Sequence, residues 1–245
     1  MKINGLTPVY FDIETTGFSA WEDDFVCAAG NREQYNPWIG TSLGRLMLNI
    51  EETHRQETII LVTYNGENYR GGFDFPWLRS KCIQEGIEWK LAGVNHLDLL
   101  PLVRKYINTT RYTAPSKSNL YADDLKKLAE ANDIEYSNKS QCYEALEQLD
   151  NVDWLDYEQE AKEDNSLQAV YQMMFDPKKE EEYIDGGRIP ILYEAIQFGY
   201  MQDKDKAWQE IKDHNRRDVE RLKKIAEKVI PVIPDWEIER NINKL

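Results

Sequence analysis

The segment Val9–Phe18, VYFDIETTGF, decides the fold. It starts with bulky apolar residues, which are typical of a buried strand, and runs directly into Asp12 and Glu14. Side chains alternate between the two faces of a strand, so the two carboxylates share one face while Ile13 lies on the other. Two neighbouring carboxylates repel each other unless a cation lies between them. The pair therefore indicates either a ledge for hard divalent metals or two solvated acids on a strand edge.

Composition indicates a folded globular chain. The 245 residues are 41% hydrophobic and 30% charged, which is typical of a protein with a sizeable core. No apolar run approaches the roughly 20 residues of a membrane helix, and no signal peptide precedes the first strand, so we expect a cytoplasmic protein without a membrane partner. The three cysteines form neither a disulfide framework nor a zinc motif, which agrees with a reducing compartment.

The order of predicted elements indicates the fold class. The clearest buried strand is Ile59–Val62, which Asn65 and Gly66 end. The predicted helix that precedes this strand has Ser42 as its predicted N-cap. Strands come first and helices accumulate later, which predicts an α/β fold with a mixed β-sheet flanked by helices. We expect one domain over residues 1–245, with an acidic helical insertion of weaker pattern at about residues 135–185.

A second candidate position is Asp74, an acid that opens a predicted helix just after that buried strand. The helix dipole favours a carboxylate at a helix start, so a simple capping role is one interpretation. Gly71 and Gly72 allow the backbone to pass close to a ligand. Tyr69 and Arg70 are suited to stacking on a base and touching a phosphate. The other interpretation is therefore a nucleic-acid site.

A third candidate position holds His214 and Asp218, which lie on one face of a predicted helix because they are four residues apart. Asp218 could reach a metal while His214 deprotonates or orients a water molecule. Ordinary charges on a solvated amphipathic helix are the alternative. His96 and Asp98 also share a strand face, and for these two we favour a structural role.

Taken in order, these segments resemble the three motifs of the DEDD superfamily of 3′→5′ exonucleases, which has an RNase H-like fold. The matching segments are FDIETTG from Phe11, NG…FDFPWL from Asn65, and HNRRDV from His214. The most similar branch contains RNase H-like nucleases with motifs that read roughly DIETTG, NG…FDxPFL and YNxxDV. Two features depart from it. His214 stands where the motif of the branch has a tyrosine, with the same spacing to the last Asp. The segment between Asn65 and Phe73 is longer than in that branch, and it is either a substrate-contacting insertion or plain surface.

The resemblance implies two-metal hydrolysis of phosphodiester bonds, in which one ion activates the attacking water and the other stabilises the leaving 3′ oxygen. The implied ligands of two Mg²⁺ or Mn²⁺ ions are Asp12, Glu14, Asp74 and Asp218. His214 is expected to act on the attacking water. The expected substrate contacts are Thr15, Asn65, Tyr69, Arg70 and Phe73. The expected substrate is single-stranded DNA or a frayed DNA end, with RNA also open, and a replication or repair protein is left open as a partner.

The net charge of −14 speaks against a nucleic-acid binder, which usually carries a basic surface. Bound metals would neutralise part of that charge, and an exonuclease grips only a few terminal nucleotides. Local basic clusters, such as Arg79 with Lys81 and Arg216 with Arg217 and Arg221, are candidate phosphate contacts or ordinary solvated faces. Two other functions stay open: a non-catalytic or partner-dependent nucleic-acid-binding module, and an RNase or structure-specific endonuclease that uses the same metal site.

Overall fold

The structure, a computed structural model, describes most of the chain, namely residues 2–32, 35–67, 71–113, 115, 117, 120–149, 152–154, 157, 160–175, 186–200 and 203–245. Its strands are β1 (Thr7–Thr15), β2 (Phe25–Arg32), β3 (Tyr35–Gly40), β4 (Ile59–Thr63), β5 (Asn95–Asp98), β6 (Thr110–Thr113), β7 (Glu160–Glu163) and β8 (Ile242–Lys244). Its α-helices are α1 (Leu43–Gln56), α2 (Asp74–Glu85), α3 (Leu99–Tyr106), α4 (Ala122–Ala131), α5 (Lys139–Glu147), α6 (Leu167–Phe175), α7 (Ile189–Gln197), α8 (Lys204–Val229) and α9 (Asp235–Asn241).

The central sheet has six strands in the order β3-β2-β1-β4-β5-β8. Strand β4 runs parallel to both β1 and β5, whereas β2, β3 and β8 pair antiparallel with their neighbours. Parallel neighbours need a crossover connection, and the chain supplies α1 between β1 and β4 and α2 between β4 and β5. This mixed sheet with helices packed on it confirms the predicted α/β fold class.

Strand β1 separates two hydrophobic cores. Tyr10 packs into a core that includes Val219 and Leu222 of α8, while Phe11 packs into a core with residues of α1 and α2. Because side chains alternate along a strand, Asp12 and Glu14 share the face of Tyr10, which is the face that α8 covers. The alternation expected from the sequence therefore aims both acids at one helix.

The chain divides into two compact units. The first contains residues 1–107 and 165–245 and includes the central sheet. The second contains residues 108–164, with the antiparallel pair β6-β7 and a small core of α4 and α5 around Leu125, Cys142 and Leu146. This second unit starts and ends earlier than the insertion predicted at about residues 135–185. The prediction of a single domain over residues 1–245 stays a prediction.

The C-terminal region holds elements that the sequence did not predict. After α8, Pro231 lies in a short 3-10 helix at Ile230–Val232, and Pro234 is the N-cap residue of α9, which leads into β8. Strand β8 pairs antiparallel with β5 and is only three residues long, too short for a recognisable alternation. At the start of α1, Ser42 occupies the predicted N-cap position, but its side chain makes no capping hydrogen bond.

Two expectations from composition concern cysteines and membranes. All three cysteines are buried free thiols. Within the described residues, no helix combines the length and the apolar character that crossing a lipid bilayer requires.

Candidate active site

The first pair of acids lies at the end of β1. Asp12 and Glu14 are partly buried, and a register shift against β2 falls between Glu14 and Thr15, where the strand pairing becomes irregular. Burial raises the pKa of the Asp12 carboxyl, and repulsion from Glu14, Asp74 and Asp218 raises it further. Burial and the nearby Asp218 likewise raise the pKa of Glu14. All four predicted acids are thus close enough to influence one another electrostatically.

A tight turn after β4 places Asp74. Asn65 adopts a left-handed conformation with φ of 70°, and its carbonyl accepts a 2.7 Å hydrogen bond from the backbone of Phe73. The carbonyl of Gly66 accepts a second bond, from Phe75. A Cβ atom on Gly66 would lie 2.1 Å from Oγ1 of Thr63, so this position requires glycine. These two backbone hydrogen bonds hold the start of α2 close to the end of β4.

Ring packing fixes α2 against the strand that carries the first acids. Phe11 of β1 stacks on Phe75 of α2 with ring centroids 5.7 Å apart and an interplanar angle of 10°. Asp12 follows Phe11, and Asp74 precedes Phe75, so the stacked rings hold the two acid-bearing backbones together.

Asp74 is the first residue of α2 and is only 4% exposed. The N-cap position belongs to Phe73, so Asp74 is not the N-cap, but it lies in the first turn of α2, where the helix dipole favours a carboxylate. Burial raises the pKa of Asp74, with a further contribution from the nearby Asp98. Its Oδ2 atom is buried and has no hydrogen-bond partner among the described residues. A buried oxygen of this kind is costly unless a ligand satisfies it.

The third part of the site comes from α8. Nε2 of His214 lies 3.5 Å from Oε1 of Glu14 and 3.5 Å from Oδ2 of Asp218. One ligand atom from each of these three residues can be chosen so that all lie within 4.8 Å of one another, close enough to share one cation. The His214 side chain is 4% exposed, against 12% for Glu14 and 17% for Asp218. The structure therefore brings the predicted helix pair to the predicted strand pair.

Asn215 is a site residue that sequence reasoning missed. It is fully buried on α8, its Nδ2 donates a 2.7 Å hydrogen bond to Oδ2 of Asp12, and its Oδ1 accepts a long bond of 3.7 Å from Sγ of Cys27. The hydrogen bond from Asn215 to Asp12 lowers the pKa of Asp12, whereas burial raises it. The available signal was the motif HNRRDV, in which this asparagine directly follows His214.

Arg221, which the sequence placed only in a basic cluster, is a second residue that contacts the acids of the site. It is 3% exposed, and its Nη1 donates a 3.2 Å hydrogen bond to Oδ1 of Asp218. Its guanidinium lies 5.5 Å from the ring centre of Tyr171 in α6. Lys224 also lies over that ring and donates a 3.1 Å bond to its hydroxyl. Asp218 therefore has a buried positive charge on one side and His214 on the other.

His96 and Asp98 hold the framework together, as their favoured structural role predicts. Oδ1 of Asp98 accepts hydrogen bonds from the backbone of Asn65, at 2.8 Å, and of Leu100, at 3.0 Å, and the latter caps α3. A 2.8 Å hydrogen bond joins Nε2 of His96 to Oγ1 of Thr63, and burial lowers the pKa of His96 to about 3. Asp98 thus ties the turn at Asn65 to the end of β5.

The residues predicted to contact substrate lie in different surroundings, and two of them are not described by the structure. The hydroxyl of Thr15 donates a 2.7 Å hydrogen bond to the carbonyl of Gly17, and Asn65 is exposed. Phe73 meets Phe18 edge to face, with centroids 5.7 Å apart. Tyr69 and Arg70 lie outside the described residues.

Phe18 was missed as a candidate, although it ends the opening motif. Its side chain is 91% exposed. It contacts Phe73, the residue directly before the buried acid Asp74. An aromatic ring exposed at this point offers a flat apolar surface next to the acids.

Several basic residues of the predicted clusters are engaged within the protein. Arg79 makes two hydrogen bonds of 2.8 and 2.7 Å to Glu67, and Lys81 is buried and donates to the carbonyl of Asp23 at 2.7 Å. Arg216 pairs with Asp213 at 2.6 Å. These three side chains thus pair within the protein, and Lys81, being buried, does not lie on a solvated face.

The donor set of the site fits divalent cations. Asp12, Glu14, Asp74 and Asp218 offer carboxylate oxygens, the ligands that Mg²⁺ and Mn²⁺ prefer. Burial and mutual repulsion disfavour the charged carboxylates, and a cation among them would reverse that effect. The unpartnered Oδ2 of Asp74 agrees with such a site.

The sequence profile of the RNase H superfamily matches residues 9–129 and 118–230 of this chain, which together cover most of its length. The chain therefore belongs to the RNase H superfamily. The match confirms the predicted RNase H-like fold and supports the resemblance that the three sequence motifs predicted.

Two curated proteins show local similarity. A DNA polymerase of Thermococcus sp. (strain 9oN-7) is 27% identical over 103 residues, which is 30% of this chain and 13% of the polymerase. A DNA polymerase of Pyrococcus horikoshii is 28% identical over 103 residues, again 30% of this chain but 8% of the polymerase. The chain thus spans only a small part of these relatives. Among solved structures, a product-bound exonuclease I covers 58% of this chain and 42% of its own length at 16% identity, with a TM-score of 0.32, too low to support any conclusion.

Proposed function

We propose that the protein is a metal-dependent 3′→5′ exonuclease that hydrolyses phosphodiester bonds in single-stranded DNA or at frayed DNA ends. The observation that carries this proposal is the approach of Glu14 on β1 to His214 and Asp218 on α8, within 4.8 Å of one another. Asp12 and the buried Asp74 lie close enough to add to the electrostatic repulsion of this group. Such a cluster is destabilising in itself, so a function that needs closely spaced cations accounts for it best.

The four carboxylates would hold two Mg²⁺ or Mn²⁺ ions, and such ions supply an activated attacking water and stabilise the charge of the leaving oxygen. The remaining side chains position these ligands. Asn215 orients Asp12 through its 2.7 Å hydrogen bond, and Arg221 holds Oδ1 of Asp218 so that Oδ2 faces His214. Fixed ligand orientations of this kind lower the cost of assembling a metal site.

DNA is the favoured polymer because the two curated relatives are DNA polymerases. The exposed ring of Phe18, packed against Phe73, supplies a surface on which a terminal base can stack. The net charge of −14 predicts weak, salt-sensitive binding to nucleic acid, which a replication or repair protein would strengthen as a partner.

The test is digestion of 5′-labelled single-stranded DNA and RNA oligonucleotides of one sequence, in Mg²⁺, in Mn²⁺ and in EDTA. We expect a metal-dependent ladder that shortens from the 3′ end, faster on DNA, and no ladder with Asp12→Ala. Lys224→Met is a matched control, because Lys224 lies on the same helix and donates a hydrogen bond to the hydroxyl of Tyr171.

A closed circular single-stranded DNA separates the exonuclease from an endonuclease that uses the same metals. Cleavage of the circle would contradict the proposal, as would a ladder that shortens from the 5′ end. Folded protein that cleaves neither polymer with either metal would favour a binding module or a nuclease that needs a partner.

A further inference from the structure

We propose that His214 is itself a ligand of the cation held by Glu14 and Asp218. This inference deepens the proposed function, since it rests on a metal site at the same residues. It assigns His214 a different role from the one that the sequence predicts, which is to act on the attacking water.

The spacing of the three side chains supports the assignment. Two ligand atoms bonded to one cation at about 2.1 Å lie roughly 3.0–3.4 Å apart when the bonds meet at about 90–109°. Nε2 of His214 lies 3.5 Å from both Oε1 of Glu14 and Oδ2 of Asp218, close to that spacing without any movement of the backbone. These distances are long for hydrogen bonds, which are typically about 2.7–3.2 Å for a nitrogen donor.

Helix geometry explains why the imidazole reaches this position. Residues four apart on a helix stack on one face, so His214 and Asp218 present their ends side by side, as paired metal ligands on a helix commonly do. A histidine one residue nearer the N-terminus would be rotated by about 100° around the helix axis and would leave that face. The four-residue spacing between His214 and Asp218 therefore suits a pair of ligands to one cation.

The surroundings of the imidazole also favour a ligand over a group that acts on water. The His214 side chain is 4% exposed, and its Nε2 faces two carboxylates. The buried and unpartnered Oδ2 of Asp74 is an independent sign that the same cluster takes up a cation.

An imidazole ligand changes which metals the site prefers. Mg²⁺ favours oxygen ligands, whereas imidazole nitrogen suits transition metals, so His214 would tilt the site towards Mn²⁺, Co²⁺ or Zn²⁺. We expect one of the two cation positions to discriminate strongly against Mg²⁺.

Pulsed electron paramagnetic resonance of the Mn²⁺-loaded protein tests the ligand directly, without any nucleic acid. Labelling the histidines with ¹⁵N should reveal coupling between Mn²⁺ and an imidazole nitrogen. The chain has only three histidines, so single substitutions assign the signal. The coupling should vanish in His214→Gln and in His214→Tyr, and should persist in His54→Gln, the matched control on α1.

Calorimetric titration supplies a second readout on the same variants. Loss of one ligand should weaken Mn²⁺ binding roughly tenfold or more, given that even outer partners of metal ligands are worth about 10–100-fold. Binding of Mg²⁺ should change less. Circular dichroism would show that both His214 variants are folded.

Absence of nitrogen coupling, or coupling that survives in both His214 variants, would overturn the inference. So would equal losses of Mn²⁺ and Mg²⁺ affinity. These outcomes leave the exonuclease proposal standing, because oligonucleotide digestion tests it separately. Conversely, nitrogen coupling in a protein that digests no oligonucleotide would support the ligand assignment and contradict the proposed activity.

Discussion

The buried side chain of Asn215 donates a 2.7 Å hydrogen bond to Oδ2 of Asp12, joining α8 to β1 across 203 residues of sequence. The bond fixes the position of one oxygen of the carboxylate. The carbonyl oxygen of the same amide, Oδ1, accepts a hydrogen bond from the thiol of Cys27 in β2. The orientation of the first acid in the motif is thus set by a residue from the last motif.

Replacing Asn215 with alanine should impair the metal site. Without its donor, Asp12 loses the hydrogen bond that orients it and favours its charged form. We expect metal affinity or the rate of DNA cleavage to fall about 10–100-fold, the usual effect of removing a partner of a metal ligand. Calorimetric titration with Mn²⁺ and digestion of labelled DNA would measure the two quantities. Cys27→Ala is the control, since it removes the thiol that donates to Oδ1 of Asn215 and leaves the hydrogen bond from Asn215 to Asp12 in place. An effect as large as that of Asn215→Ala would contradict the expected role.

Arg221 should matter more than its neighbour Lys224. Both cations lie over the ring of Tyr171, and Nη1 of Arg221 also lies 3.2 Å from Oδ1 of Asp218. Arg221→Met removes the buried guanidinium that pairs with Asp218. We therefore expect a large loss of metal-dependent cleavage and a loss of stability of about 3–5 kcal/mol, typical of breaking a buried ion pair. Lys224→Met should stay near wild type in both assays. Thermal unfolding and rate measurements on both variants test this, and equal effects would show that the ring contact, and not the pairing with Asp218, is what counts.

The metal-free protein should lose stability as the pH rises. Burial raises the pKa values of Asp12, Glu14 and Asp74 above their ordinary values of 3.8, 4.5 and 3.8. A raised folded-state pKa means that the folded protein binds the proton more tightly, so this stabilisation is full below about pH 4 and is lost as the pH rises through the raised values.

Asp12→Asn isolates the effect, because it removes one repelling charge and can still accept the bond from Asn215. In EDTA the variant should be more stable than wild type at pH 7.5 and lose that advantage near pH 4. Mn²⁺ should stabilise wild type more than the variant. Thermal unfolding at constant ionic strength measures all three quantities. A variant no more stable than wild type in EDTA at pH 7.5 would show that the acids are not under electrostatic strain.

Gly66→Ala should be destabilising. The added Cβ would lie 2.1 Å from Oγ1 of Thr63, so the turn that places Asp74 must shift. We expect a loss of at least about 1–3 kcal/mol, the range for overpacking a tight site, together with slower cleavage. Gly44→Ala is the control: no atom lies within 4 Å of its added Cβ, and it should gain about 0.5–1 kcal/mol because alanine favours a helix. Chemical denaturation measures both, and equal stabilities for the two variants would contradict the crowding at Gly66.

Phe18→Ala should weaken substrate binding without affecting folding. The ring is 91% exposed, so little buried surface is lost, but it is the aromatic surface beside Phe73. Stacking of a base is worth about 1–3 kcal/mol, which corresponds to a rise in KM of roughly 5–150-fold for short single-stranded DNA. Ile83→Ala, at the other end of α2 and also exposed at 72%, is the control. An unchanged KM in Phe18→Ala would remove this ring from the binding surface.

Local sequence signals predicted β1 and β4 well, because each has a continuous run of buried apolar residues that ends in acids or a turn. The left-handed turn at Asn65 and the glycine C-cap of α2 at Gly86 have equally clear local causes. Strand β8 was missed because three residues carry no periodicity, and only its pairing with β5 makes it a strand.

The sequence by itself determined the identities and spacing of the acids, and hence which face of β1 and of α8 each one occupies, because strand and helix periods are local properties of the backbone. The tertiary structure alone decided the rest. It brought Asn215 to Asp12 and Arg221 to Asp218, and it set Nε2 of His214 at 3.5 Å from both Glu14 and Asp218. These relations depend on how α8 packs across the sheet, and packing between distant elements follows from the fit of whole cores rather than from any short motif.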